Sequence, residues 1–185
     1  SINRNNLFLL ILQSICIAAG GYIINDIIDF KADLHNKPHK TYVSQTIPVK
    51  LAKYYYFIVV VCGIVLAGIL QYIIPHFPII LINISLSITL FVYSIRIKNT
   101  VLWGNILISL VVSFVTGIIL IAERYSLLQS SDNYLKYIVT TLIITYMVFS
   151  FLINLIREIV KDMEDFEGDN ATGYMTFPIK YGIQA

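Results

Sequence analysis

Apolar residues in this chain do not alternate with polar ones. They come in blocks of about twenty, divided by short polar stretches. Residues 7–24 and 54–74 carry no charge, and Pro75-His76-Phe77-Pro78 closes the second of these with a tight turn. Residues 79–95 stop at Arg96, and 101–122 stop at Glu123-Arg124. Residues 135–156 hold only Lys136, near the start, where a long side chain reaches back to the interface. A hydrocarbon core of about 30 Å is crossed by roughly 20 helical residues rising 1.5 Å each. The pattern therefore predicts five transmembrane helices. No proline interrupts a block, and the two-residue alternation of a membrane barrel is absent. The expected fold is all-α, a multi-span transmembrane bundle in one domain over 1–185.

Composition agrees with this reading. Hydrophobic residues make up 57% of the chain and charged residues 13%, with a mean hydropathy of +0.76. A water-soluble domain carries about 25% charged residues. The shortfall excludes a soluble globule, a disordered tail and a nucleic-acid binder, and a net charge of +2 implies no polyanionic partner. Cys16 and Cys62 lie inside apolar blocks without metal-ligand spacing, so packing is their expected role. With five spans, the polar stretches alternate between two sides. Ten of the 13 Lys and Arg residues fall on the side of residues 25–53, 96–100 and the stretch after 156. The positive-inside rule makes that side cytoplasmic, which in a cell (inner) membrane protein is where these segments are expected to face.

The acids are more unevenly placed still. Nine of the 11 sit in two short segments on that same side, each just after a span. Asn25-Asp-Ile-Ile-Asp-Phe-Lys-Ala-Asp33 aligns with Lys161-Asp-Met-Glu-Asp-Phe-Glu-Gly-Asp169. Asp26, Asp29 and Asp33 match Asp162, Asp165 and Asp169 at i, i+3 and i+7, the spacing of one helical stripe. Three carboxylates in a stripe repel one another, and two facing stripes do so more strongly, so a cation is expected between them. All-oxygen ligands suit Mg²⁺, which takes a carboxylate or two together with water and substrate phosphates. Two such stripes at the mouth of a bundle can flank a diphosphate and neutralise it as a leaving group. Lys161, Arg157, Arg96 and Lys98 share that side and can take up the remaining charge.

An isolated acidic cluster at a helix end is ordinarily a solvated loop. The duplicated register and the shared side argue against that here. Glu164 and Glu167 lie off the stripe and read as solvated, whereas Glu158 reads equally as a ligand or as a partner of Lys161. Phe30 and Phe166 read as interfacial anchors, His35, His39 and His76 as solvated or interfacial residues. Most of the 13 tyrosines fit an aromatic belt at the span ends. Tyr22 and Tyr93, on the last turns before the acidic side, can also face a cation-like intermediate.

These motifs resemble the UbiA superfamily of intramembrane prenyltransferases. NDIIDFKAD is similar to the family's first motif, NDxxDxxxD, and REIVKDMEDFEGD to its second. Gly173, Thr176 and Pro178 fit the continuation of the second motif, and YSIRIK at 93–98 resembles the segment closing the family's fourth helix. The resemblance implies a bundle of about nine helices, of which this chain would hold the second to the sixth. A bundle so truncated would leave its lipid groove open. It also implies Mg²⁺ and transfer of a polyprenyl group from its diphosphate to an acceptor. Asp26, Asp29, Asp33, Asp162, Asp165 and Asp169 would then be the catalytic, metal and diphosphate residues, with Asn25 and Lys161 among the substrate-binding ones. After the first motif, Asn36-Lys37-Pro38 keep the family's pattern and residues 40–45 depart from it.

The form of the second motif most resembles the branch that alkylates a glycerol phosphate hydroxyl. Prenylation of an aromatic acid in quinone synthesis is the alternative acceptor chemistry. A divalent-cation transporter is the alternative of another class, although transporters place ionisable groups near the midplane and these spans are almost free of charge.

Overall fold

The computed structural model describes residues 3–182, so the extreme ends of the domain expected over 1–185 lie outside the described residues. Five long helices follow one another: α1 Arg4–Asn36, α2 Val49–Ile73, α3 Ile79–Val92, α4 Trp103–Gln129 and α5 Asn133–Glu164. Two short helices close the chain, α6 Phe166–Thr172 and α7 Phe177–Tyr181. Among the described residues there is no β-strand. All five long helices, counting α3 with its extension to Ile97, are long and apolar enough to cross a membrane.

The helices overrun the apolar blocks where local chemistry allows. Asn3 caps α1 by accepting from the Asn6 N–H at 2.9 Å, and Asp132 caps α5 by accepting from Leu135 at 2.9 Å. Pro48 precedes α2 and supplies no donor, as the start of a helix tolerates. Between α2 and α3, Gln71 Oε1 accepts from Ile80 N at 3.1 Å, and Phe77 turns inward until it is 1% exposed. α3 widens into a π-helical turn over Tyr93–Ile97, with Lys98 N donating to Tyr93 O at 3.0 Å. Wide turns of this kind often accompany functional sites.

α1 packs on α2 and α3, and α4 pairs with α5. The two groups meet where Ile118 of α4 joins Leu10, Ala67, Leu70, Phe77 and Ile79 in one buried cluster. They meet again on the acidic side, where α6 packs on α1. Small residues take the contact positions: Ala52, Gly63, Ala67, Ser109 and Ser113 are buried. Large side chains such as Phe8, Phe57, Phe149 and Ile153 face outward. Lipid tails are as apolar as leucine, so helices associate in a bilayer through close packing and interhelical hydrogen bonds. One such bond set crosses three helices. Asn83 Nδ2 on α3 donates to Gln13 Oε1 on α1 at 2.7 Å and to Gly63 O on α2 at 3.2 Å.

Candidate active site

α1 runs well past the apolar block, so Asp26, Asp29 and Asp33 occupy the last three turns of one unbroken helix. Asp29 points inward and is 2% exposed, Asp33 is half-buried and Asp26 is exposed. Lys98, delivered by the π-helical turn, forms an ion pair with Asp29 Oδ2. The start of α4 passes so close to this turn that a Cβ on Gly104 would lie 2.9 Å from both the Ile97 carbonyl oxygen and Lys98 Cα. Glycine at 104 is what admits the approach.

The second segment departs from the expected single stripe. α5 ends at Glu164, a turn at Asp165 (φ −92°, ψ 7°) interrupts the helix, and α6 begins at Phe166. Asp162 thus lies on the last turn of α5, Asp165 at the junction and Asp169 in α6. A tertiary contact spans this junction. Gly168 N donates to Asn36 Oδ1 at 2.6 Å, and Asn36 Nδ2 donates to Asp165 O at 3.0 Å. Asp162 Oδ2 accepts from Asn105 Nδ2 on α4 at 2.8 Å. Burial pushes Asp169 up to about 6; Lys98 opposes the rise and the nearby Asp165, Asp162 and Asp29 add to it. Tyr174 is likewise raised by burial to about 12, with the charges of Asp29 and Asp169 contributing.

The bases divide among these acids. Lys37 Nζ sits 2.6 Å from Asp165 Oδ1 and 3.8 Å from Glu164. Glu158 pairs with Arg157 at 3.0 Å, so its partner is the adjacent guanidinium rather than Lys161. Lys161 contacts none of the described carboxylates within ion-pair distance. Arg96 is exposed and lines neither of the cavities described next. Phe30 packs beside the buried Ile27, Val43 and Ala52, a core position rather than a free interfacial anchor. His76 stacks on Tyr125 at 5.3 Å between ring centroids, and both cysteines are free thiols.

Two cavities meet at this end of the bundle. The first, of about 220 Å³, is an apolar groove among α1, α3, α4 and α5. It runs past Ile118, Val115, Ile108, Leu90 and Ile17 to Tyr22, Tyr93, Asn25, Arg157, Glu158 and Lys161. The second, of about 200 Å³, is polar and is lined by Asn25, Asp26, Asp33, Lys37, Lys40, Thr41, Tyr42, Lys161 and Asp165 among others. Asn25 and Lys161 line both. Asp29, Asp162 and Asp169 stand outside both linings.

Among the described residues, no group of three His, Cys, Asp or Glu is gathered closely enough to hold a metal ion unaided. Mg²⁺ does not require one, since water and phosphate oxygens complete its shell. The donor set is all hard oxygen, and Asp29 Oδ1 is buried without a hydrogen-bond partner. Such residues fit a divalent cation shared with a diphosphate. Asn36, Lys37, Asn105 and Tyr174 are the site neighbours that sequence reasoning did not assign. Asn105 carries the clearest signal, an amide inside an otherwise apolar block.

The UbiA prenyltransferase family model matches residues 1–185. The chain belongs to the UbiA prenyltransferase family. It is 33% identical over 164 residues to the digeranylgeranylglyceryl phosphate synthase of Methanobrevibacter smithii, covering 89% of this chain and 54% of the relative. To the protein of the same name from Saccharolobus solfataricus it is 34% identical over 168 residues, covering 90% of this chain and 54% of the relative. A solved structure concerned with digeranylgeranylglyceryl phosphate synthase in membranes superposes with a TM-score of 0.63 at 26% identity. That match covers 100% of this chain and 59% of the other. The chain therefore spans about half the length of the curated relatives it matches. As a UbiA chain with five membrane-crossing helices, it is an integral membrane protein.

Proposed function

We propose that the full-length protein transfers a polyprenyl group from its diphosphate to a glycerol phosphate lipid precursor, with Mg²⁺ as cofactor. The observation that carries this reading is the meeting of the apolar groove and the acid-lined cavity at Asn25 and Lys161. An amphiphile with an apolar tail and a diphosphate head has that shape and polarity. The names of the relatives favour the glycerol phosphate acceptor over an aromatic acid. Residues 1–185 are read as one transmembrane prenyltransferase domain in the cell membrane, with both aspartate-rich segments toward the cytoplasm.

In this reading the groove among α1, α3 and α4 takes the prenyl tail. Lys161, which forms no ion pair among the described residues, meets the diphosphate, and Arg157 at the same mouth, its charge already offset by Glu158, adds N–H donors. Asp26, Asp33 and Asp165 line the head cavity and are the first candidates to hold Mg²⁺; Asp29, Asp162 and Asp169 stand behind them. When bound, the metal supplies charge neutralisation to the leaving diphosphate. The C1–oxygen bond breaks with its electron pair going to the diphosphate. The acceptor hydroxyl oxygen then bonds to C1 and gives up its proton to the released diphosphate. The apolar groove keeps water from the allylic cation, and Tyr22 and Tyr93 at its mouth present their rings to it.

The test is an assay of the full-length protein in membranes. Labelled geranylgeranyl diphosphate and Mg²⁺ are supplied, with geranylgeranylglyceryl phosphate and an aromatic acid offered in parallel. An ether lipid that disappears with EDTA is the expected product. Asp26→Ala and Asp162→Ala should each abolish it while insertion into the membrane is unchanged. A prenylated aromatic product would replace the acceptor, and full activity in both variants would remove the mechanism.

A further inference from the structure

We infer that Asn36 is a positioning residue whose side-chain amide clasps the second acidic segment to the first. The inference rests on the functional reading above, because the carboxylates it positions are those proposed to hold metal and diphosphate. α1 ends at Asn36, three residues beyond Asp33. Its amide meets the junction of α5 and α6, where the Asp165 carbonyl accepts from Asp169 N and keeps a second lone pair, and the Gly168 N–H lies in the first turn of α6. Oδ1 accepts from Gly168 N at 2.6 Å, and Nδ2 donates to Asp165 O at 3.0 Å. A carboxamide carries a donor and an acceptor on one flat group, so it joins an N–H and a C=O from residues three apart. It does so without adding charge beside six aspartates. Aspartate would lose the donor, and leucine, of similar size, would lose both.

Gly168 supplies an independent observation. It is buried, and a Cβ built there would run into the end of the Asn36 side chain. The close approach of the amide therefore depends on the absence of a side chain at 168. The neighbouring residue strengthens the grip: Lys37 holds the Asp165 carboxylate at 2.6 Å while Asn36 holds the Asp165 carbonyl. Asp169 follows Gly168 directly and is itself buried. The clasp thus determines where Asp165 and Asp169 stand relative to Asp33.

The experiment measures Mn²⁺ binding to the purified full-length protein by the loss of the free-ion paramagnetic resonance signal, with a fixed concentration of geranylgeranyl thiolodiphosphate, an unreactive donor analogue, present throughout. Wild type, Asn36→Leu, Gly168→Ala and the double variant are compared, with kcat and KM for prenyl transfer determined alongside. Removing a residue that orients metal ligands weakens binding about 10–100-fold, and that rise in dissociation constant is expected for each single variant. Because both changes open one clasp, the double variant should lose no more than the weaker-binding single variant. The acceptor KM should stay at the wild-type value while kcat falls. Should Asn36→Leu fail to fold, Gly168→Ala carries the same comparison from the other side of the contact. A wild type that binds Mn²⁺ and transfers prenyl groups, beside variants with unchanged affinity, overturns the clasp alone. A wild type that neither binds Mn²⁺ nor transfers overturns the functional reading and the clasp with it.

Discussion

Replacing Lys98 with methionine keeps most of the side chain's length and removes only its charge. The ammonium pairs with Asp29, whose side chain is 2% exposed, while the Lys98 side chain is 17% exposed. Removing one member of a buried pair costs about 3–5 kcal/mol, because the other charge is left in a medium that cannot solvate it. Asp29 Oδ1 lacks a hydrogen-bond partner, and the neutral Tyr174 beside the carboxylate cannot replace the lost positive charge. Lys98 keeps some contact with water, which points to the lower end, about 3 kcal/mol. If the pair is broken in the unfolding transition state, this amounts to roughly a hundredfold faster unfolding. The assay is the unfolding rate of the full-length protein in a denaturing detergent, followed by circular dichroism, with EDTA present so that no metal replaces the lost charge. Asp29→Asn combined with Lys98→Met removes the stranded charge and should restore most of the wild-type rate. Wild-type kinetics in Lys98→Met, or a double variant that unfolds as fast as the single one, would refute the buried-pair reasoning.

Three further outcomes follow from particular contacts. Gly104→Ala places a Cβ against the backbone of Ile97 and Lys98, which cannot rotate away, so a loss of about 1–3 kcal/mol is expected in thermal unfolding. An unchanged melting temperature would show that the π-helical turn yields freely. For the amide set within the membrane, a cycle of Gln13→Leu and Asn83→Leu should give a coupling of about 0.6–1.5 kcal/mol, because each single change leaves the other amide short of a partner. Additive losses would mean the two amides do not meet. Val115→Trp narrows the apolar groove, so kcat/KM for a twenty-carbon donor should fall about tenfold or more while a ten-carbon donor is affected less. Equal losses for both donors would place the tail elsewhere.

The two acidic segments show how far the linear order of residues could be read. Asp26, Asp29 and Asp33 lie on one helix as their spacing implies, since α1 contains nothing that breaks it. Asp162, Asp165 and Asp169 have the same spacing, yet the helix breaks at Asp165. Asn36, 129 residues away in the chain, meets that break, donating to the Asp165 carbonyl and taking the Gly168 N–H that a continuous helix would turn on Glu164. Glu158 is a similar case: Lys161 lies one turn along its helix, but the guanidinium of Arg157 reaches it first.

Composition and block length alone determined that the chain is helical, that it crosses the membrane and where its spans lie. That follows because the hydrocarbon core admits only segments of the right length whose backbone is fully hydrogen-bonded. The duplicated aspartate register likewise marked the acidic end of the bundle. What the sequence could not supply is which face of each span packs inward. In water a polar face marks the outside of a helix, but in lipid both faces are apolar and the pattern carries no such mark. Only the tertiary structure decided that Gln13 meets Asn83, that Lys98 turns back onto Asp29 and that the apolar groove opens beside Lys161. Each of these contacts joins residues far apart in the chain, and each is selected by close packing rather than by the order of hydrophobic and polar positions.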